Sequence, residues 1–68
     1  MIVNAESETR RCLVIRRAIA YVELLHSAAV QSSDGKDDLA YETWARADLA
    51  LILLKDAVTA LQPGDTEV

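Results

Sequence analysis

The chain has 68 residues, of which 51% are hydrophobic, and a net charge of −4 at pH 7. This length leaves room for one small domain, whose own core contributes only about 3–5 kcal/mol, so a disulfide, a metal or a partner chain is expected to add stability. Cys12 is the single cysteine and His26 the single histidine, which excludes an intramolecular disulfide and a four-ligand zinc site built from these two types. The acidic balance argues against general binding to a nucleic-acid backbone.

The first predicted element is a helix over about residues 5–31. No glycine or proline interrupts this segment, and Glu6 and Glu8 lie where the positive end of the helix dipole favours acidic residues. Its main apolar stripe steps by three or four positions and consists of Ile15, Ile19, Val22, Leu25 and Ala29. We expect this stripe, with His26 packed beside it, to face the second helix.

A polar turn over residues 32–35 and a second helix over about residues 36–61 complete the predicted hairpin. Gly35 lies within the polar run, and Pro63 and Gly64 end the second helix. The main apolar stripe of this helix consists of Leu39, Ala40, Ala47, Ala50, Leu51, Leu54, Ala57, Val58 and Leu61. Two helices of matched length joined by a short turn predict a single all-α domain, an antiparallel helical hairpin, with residues 62–68 as a frayed tail.

Each helix carries more apolar residues than one partner helix can cover. Leu49, Ile52 and Leu53 project away from the main stripe of the second helix, and Leu13 and Leu24 project away from that of the first. Fully burying one such side chain contributes about 1.5–3 kcal/mol. We therefore predict that these five residues form the interface of a homodimeric four-helix bundle, with docking onto a different protein as the alternative.

The segment YETWAR, residues 41–46, concentrates the residue types that dominate binding energy at protein interfaces. These are Tyr41, Trp44 and Arg46, and Arg16 and Arg17 add positive charge on the first helix. We predict that these five residues contact a partner. The arginines would pair with acidic residues of a second protomer or of a target protein, which sets orientation more than strength.

No arrangement of residues in the sequence indicates catalysis, and we expect no enzyme activity, no cofactor and no metal. His26 has no nucleophile or paired carboxylate at a spacing that would bring it within reach. Charged residues interrupt both apolar segments before the ~20 residues that span a bilayer. The chain does not open with a basic stretch followed by an apolar one, so we expect a cytoplasmic protein with no signal peptide and no membrane segment.

The layout of two matched helices, a Ser/Asp/Gly-rich turn and the second-helix sequence YETWARADLALILLKDAVTAL resembles small two-helix accessory proteins of pseudomonads and their phages, of the phage quorum-sensing anti-activator type. The resemblance covers about residues 10–61. It implies a dimeric hairpin that binds and inhibits a larger host protein, such as a transcriptional regulator or a pilus-assembly ATPase. The leading hypothesis is therefore a small non-enzymatic protein-binding module. A nucleic-acid-binding regulator that uses the helix 1 arginines and a structural subunit of a heteromeric assembly are the alternatives.

Overall fold

The computed structural model describes residues 5–66, which form two long helices and a short helical turn. Helix α1 spans Ala5–Ser33, helix α2 spans Asp37–Thr59, and a C-terminal 3-10 turn spans Pro63–Thr66. The two helices pack side by side as an antiparallel hairpin, a rod of 53 × 17 × 15 Å. The predicted all-α hairpin is confirmed. Helix α1 runs two residues further than expected, and α2 is shorter by one residue at its start and two at its end.

Gly35 allows the chain to reverse between the helices. Its φ of +78° lies in the left-handed region, which glycine adopts without a steric penalty. The Gly35 amide donates to the Ser32 carbonyl at 3.1 Å, and the Lys36 amide donates to the Gln31 carbonyl at 2.9 Å. This pair of bonds is the Schellman motif, which satisfies carbonyls at the end of α1 and lets α2 begin beside it.

The seam between the helices is lined by small side chains. The buried residues of α2 are separated by steps of three, four and seven, and are Ala40, Thr43, Ala47, Ala50 and Ala57. This spacing keeps one narrow stripe of a helix turned toward its neighbour along the whole length. On α1, Ser7 and Ala28 are buried. Every buried apolar residue within residues 5–66 is an alanine, so the two backbones can approach closely.

A side-chain hydrogen bond fixes the register of the seam. The Thr43 hydroxyl donates to Oε1 of Gln31 at 2.6 Å. Ala28 lies three residues before Gln31 and Ala47 lies four residues after Thr43, so these two alanines are opposite each other. They are only 0% and 1% exposed, which makes this level the tightest part of the seam.

The large apolar residues of α1 do not make the contact with α2 that the sequence predicts. Ile15, Ile19 and Val22 are 57%, 53% and 60% exposed. The small residues of the seam allow close packing, and α1 is rotated so that Ile15 and Val22 flank the seam while Ile19 lies on the outer side of the helix. Leu24, expected on the far side, is half-buried, and His26 is exposed rather than packed.

On helix α2, some of the large apolar residues predicted to face α1 also lie outside the contact. Ala47 is buried and Leu51 and Leu54 are half-buried, as expected for residues that face α1. Val58, expected beside them, is 48% exposed. The hairpin therefore leaves large apolar side chains of both helices in contact with water.

The close packing around Ala28 and Ala47 predicts that a larger side chain at this level of the seam destabilises the fold. Replacing Ala47 with leucine should lower the free energy of unfolding by about 1–3 kcal/mol, because the added side chain forces the helices apart. Ala45→Leu, at an exposed position of the same helix, is the matched control and should change it by less than about 0.5 kcal/mol. Urea unfolding followed by circular dichroism measures both. Equal effects of the two substitutions would contradict the seam.

Candidate interaction surfaces

Two broad faces flank the seam, and each takes residues from both helices. A helix turns by about 100° per residue, so residues directly after a seam residue and residues directly before one fall on opposite sides. Because α1 and α2 are antiparallel, residues that directly follow a seam residue lie on one side of the rod for both helices. On α1 this is the residue after Leu24, and on α2 these are the residues after Thr43, Ala50 and Ala57. The residues before Val14 on α1 and before Ala47 on α2 share the other.

The first surface, which we call the Ile/Val face, is almost entirely apolar along its centre. It consists of Ile15, Val22, Leu25, Trp44, Leu51 and Val58. Four of these side chains are roughly half exposed or more, at 57% for Ile15, 60% for Val22, 46% for Trp44 and 48% for Val58. A shallow groove lined by Arg11, Val14, Ile15, Leu61 and Asp65 continues this face to the open end of the hairpin.

The second surface, which we call the leucine face, alternates apolar and charged residues. Its apolar members are Leu13, Leu39, Leu49 and Leu53, which are 41%, 44%, 64% and 44% exposed. Charged and exposed side chains lie between them: Arg16, Glu42, Arg46 and Asp56. The two faces therefore differ in chemistry, one a continuous apolar strip and the other a set of leucines separated by ions.

The residues predicted for the dimer interface do not all lie together. Leu13, Leu49 and Leu53 share the leucine face, whereas Ile52 is 55% exposed on the outer edge of α2. Leu24 is half-buried on the side of α1 that faces α2. Three of the five predicted interface residues thus form one surface.

The predicted partner-binding residues are also divided between surfaces. Trp44 lies on the Ile/Val face and Tyr41, 78% exposed, lies at its margin one turn earlier on α2. Arg16 and Arg46 lie on the leucine face, and Arg17 is half-buried toward the seam. The segment YETWAR therefore supplies two surfaces and not one patch.

Sequence reasoning missed Ile15, Val22 and Val58 as surface residues because their helical spacing is that of a buried stripe. The signal that locates them is the narrower pattern of small residues at Ala40, Thr43, Ala47, Ala50 and Ala57. Small residues at this spacing indicate the closest contact between helices, and the large residues beside them then lie on the flanks.

The C-terminal turn, expected to be frayed, is tied to the start of α1 through Asp65, which is 3% exposed. Its Oδ2 accepts from Arg10 Nε at 2.7 Å and from the Gln62 amide at 2.8 Å, and its Oδ1 accepts from Arg10 Nη2 at 3.0 Å and from the Ser7 hydroxyl. Arg11 Nη1 donates to the Asp65 carbonyl at 3.2 Å. Glu67 and Val68, the last residues of the predicted tail, lie outside the described residues.

This network shifts the ionisation of both charged partners. The hydrogen bonds from Arg10, then from Ser7 and the Gln62 amide, hold the pKa of Asp65 well below its usual range. The hydrogen bond to Asp65 raises the pKa of Arg10. Both oxygens of the Asp65 carboxylate accept hydrogen bonds from donors of the same chain, so the network holds the open end of the hairpin together.

Stability should depend on pH through Asp65. A carboxyl whose pKa is lowered on folding stabilises the folded chain above its unfolded pKa of about 3.9, and this contribution is lost as the pH falls from there toward the lower folded value. Asp65→Asn should therefore lower the melting temperature at pH 7, and its difference from the natural protein should shrink below about pH 4. Asp56→Asn, at an exposed position, is the control. A difference for Asp65→Asn that is constant with pH would contradict the ionic role.

Within residues 5–66, no group of three or more histidine, cysteine, aspartate or glutamate side chains is placed to hold a metal ion. In the same range, neither helix combines the length and the apolar character that a membrane span requires. Comparison with protein-family models, with curated proteins and with solved structures finds no match to this chain.

Proposed function

We propose that this chain is a small non-enzymatic binding module of the cytoplasm, which forms a homodimer and modulates a larger protein, such as a transcriptional regulator, by covering part of its surface. One observation carries the proposal. Large apolar side chains are exposed on both faces of the hairpin, while every fully buried apolar side chain of the described residues is an alanine.

The energetics of burial favour association. Fully burying a Val, Leu or Ile side chain contributes about 1.5–3 kcal/mol, and an alanine contributes much less because it has little side-chain surface. The described hairpin fully buries no large side chain. The exposed parts of its leucines, isoleucines and valines therefore offer further stabilisation, which is realised when another surface covers them.

The leucine face is the surface that suits a target protein. Leu49 is its most exposed leucine, at 64%, and Arg46 lies one turn earlier on the same face. At specific interfaces, burial of an apolar side chain supplies binding energy, and a charged side chain beside it sets the orientation of the partner. The layout resemblance to two-helix accessory proteins implies the same mode of action.

The nucleic-acid alternative receives less support from the arrangement of the arginines. Arg10 forms an ion pair with Asp65, and Arg11 donates to the Asp65 carbonyl. Arg17 is half-buried, so Arg16 alone of the four helix 1 arginines is exposed without a described bond to Asp65. A surface for nucleic acid needs several phosphate contacts at once.

Target capture with matched variants tests the proposal. The natural chain, Leu49→Glu and Ala45→Glu are each immobilised and exposed to lysate of the source cells, and proteins that they retain are identified by mass spectrometry. The affinity of the purified target is then measured by calorimetry. Leu49→Glu should weaken binding at least about tenfold, equivalent to about 1.4 kcal/mol, because it places a charge in the contact.

Ala45→Glu is the matched control, since it adds the same charge at an exposed position one turn earlier, on the outer edge of α2. It should bind the target as the natural chain does. Circular dichroism should show equal helicity for all three proteins. A target that binds Leu49→Glu as tightly as the natural chain, or no protein retained specifically by the natural chain, would contradict the proposed function.

A further inference from the structure

We propose that a second copy of this chain covers the Ile/Val face, related to the first by a two-fold axis that passes near Val22 of α1 and between Leu51 and Ile52 of α2. The inference rests on the homodimer of the proposed function, to which it adds the surface and the register of the contact. Four features of the hairpin support it.

The first feature is the level of the axis on the two helices. The Gln31–Thr43 hydrogen bond sets which residues lie side by side along the rod. Val22 lies nine residues before Gln31, and Ile52 lies nine residues after Thr43, so they are at the same height. A single axis perpendicular to the rod can therefore pass both positions, as it must if both helices meet their own copies.

The second feature is the charge pattern on α2. Asp48 lies three residues before Leu51 and Lys55 lies four residues after it, so both follow the outer margin of the Ile/Val face, and both are exposed. The proposed axis lies midway between them. When α2 packs antiparallel against its copy, Asp48 of one protomer lies beside Lys55 of the other, and the pair occurs twice. Rim pairs of this kind determine register and orientation.

The third feature is side-chain size on α1. Ile15 and Ala29 lie seven residues before and after Val22 on the same stripe. The axis brings the large Ile15 of one protomer against the small Ala29 of the other, and it brings Val22 against its own copy. Large residues opposite small ones interdigitate without a gap or a clash, which is the packing of helix bundles.

The fourth feature is area. The exposed fractions of Ile15, Val22, Trp44 and Val58 correspond to an area on the order of 400 Å², about half of the roughly 800 Å² that each partner buries in a dimer of standard size. These four side chains therefore supply a large share of the surface that a stable dimer needs.

The leucine face meets the symmetry requirement less well. Its charged pairs are Arg16 with Glu23 on α1 and Arg46 with Asp56 on α2. In the register set by Gln31 and Thr43, the midpoints of these two pairs are about 3.5 residues apart along the rod, which is about 5 Å. One perpendicular axis cannot pass through both midpoints, so this face suits a contact of each helix with its own copy less well than the Ile/Val face does.

Sedimentation equilibrium of the full chain and two matched variants tests whether a second copy of the chain covers the Ile/Val face. Val22→Glu brings two carboxylates together at the axis and should raise the dimer dissociation constant at least about a hundredfold, which gives a monomer on dilution. Leu49→Glu adds the same charge at an equally exposed position, 64% against 60% for Val22, and should remain dimeric. A natural chain that is monomeric, or a dimer dissociated by Leu49→Glu and not by Val22→Glu, overturns the inference.

Two further measurements include a gain of signal, one by cross-linking and one by restoration of a weakened dimer. In a Cys12→Ala background, Val22→Cys should be joined into a covalent dimer by a short bifunctional thiol reagent, and Leu49→Cys should not. Lys55→Asp should weaken the dimer about five- to tenfold through like charges on the rim, and adding Asp48→Lys should restore it. Cross-linking at Leu49→Cys alone, or no restoration by the double substitution, contradicts the register.

The outcomes also separate this inference from the proposed function. If the chain is monomeric or dimerises elsewhere while Leu49→Glu still weakens target binding, the assignment of the Ile/Val face is wrong and target binding through the leucine face stands. If Val22→Glu dissociates the dimer while Leu49→Glu leaves target binding intact, the dimer stands and the leucine face is not the target surface.

Discussion

The close contact between two alanines, Ala28 of α1 and Ala47 of α2, sets the geometry on which the rest of the hairpin depends. Both side chains are almost completely buried, and the other buried apolar residues of the described chain are alanines too. Side chains of this size let two helices approach closely but remove little apolar surface from water. The large residues are consequently displaced to the flanks of the seam, and the hairpin gains two apolar faces because its own contact is so narrow.

The ends of the rod are held by more specific interactions than its middle. At one end, Gly35 closes α1 through the Schellman bonds, and Thr43 and Gln31 fix the register of the first layer. At the other end, Asp65 joins the C-terminal turn to Arg10 and receives the Ser7 hydroxyl. Between these ends the alanine seam has few directional contacts, so the register of the whole rod is determined by its two polar ends.

Much of the fold could be predicted from the sequence because it depends on local rules. An uninterrupted helical spacing, a glycine in a polar run and a Pro63-Gly64 stop are sufficient to place both helices and the turn within about two residues. The Asp65 network could not be predicted in this way. Its partners are 55 and 58 residues away in sequence, and only the antiparallel hairpin brings them together.

The error over Ile15 and Val22 has a different cause. Hydrophobic periodicity indicates that a stripe of a helix is buried, but it does not say which surface buries it. The prediction that α2 covers this stripe is wrong for Ile15 and Val22, because the closer contact lies at the small residues of α2, at steps of three, four and seven. The large stripe still carries the pattern of a buried surface, and this is the pattern expected if the covering surface belongs to another molecule.

Symmetry gives a physical reason for one chain to present two unlike faces. A surface that binds its own copy must match itself under one rotation, and where each helix of a two-helix rod packs against its own copy, the axis has to cross both helices at the same height. The Ile/Val face meets this condition through Val22 on α1 and the midpoint of Asp48 and Lys55 on α2. The leucine face, whose charged pairs are offset along the rod, is free of that condition and can be complementary to an unrelated surface. Division of self-association and target binding between the two faces would let the chain gain stability from one without occupying the other.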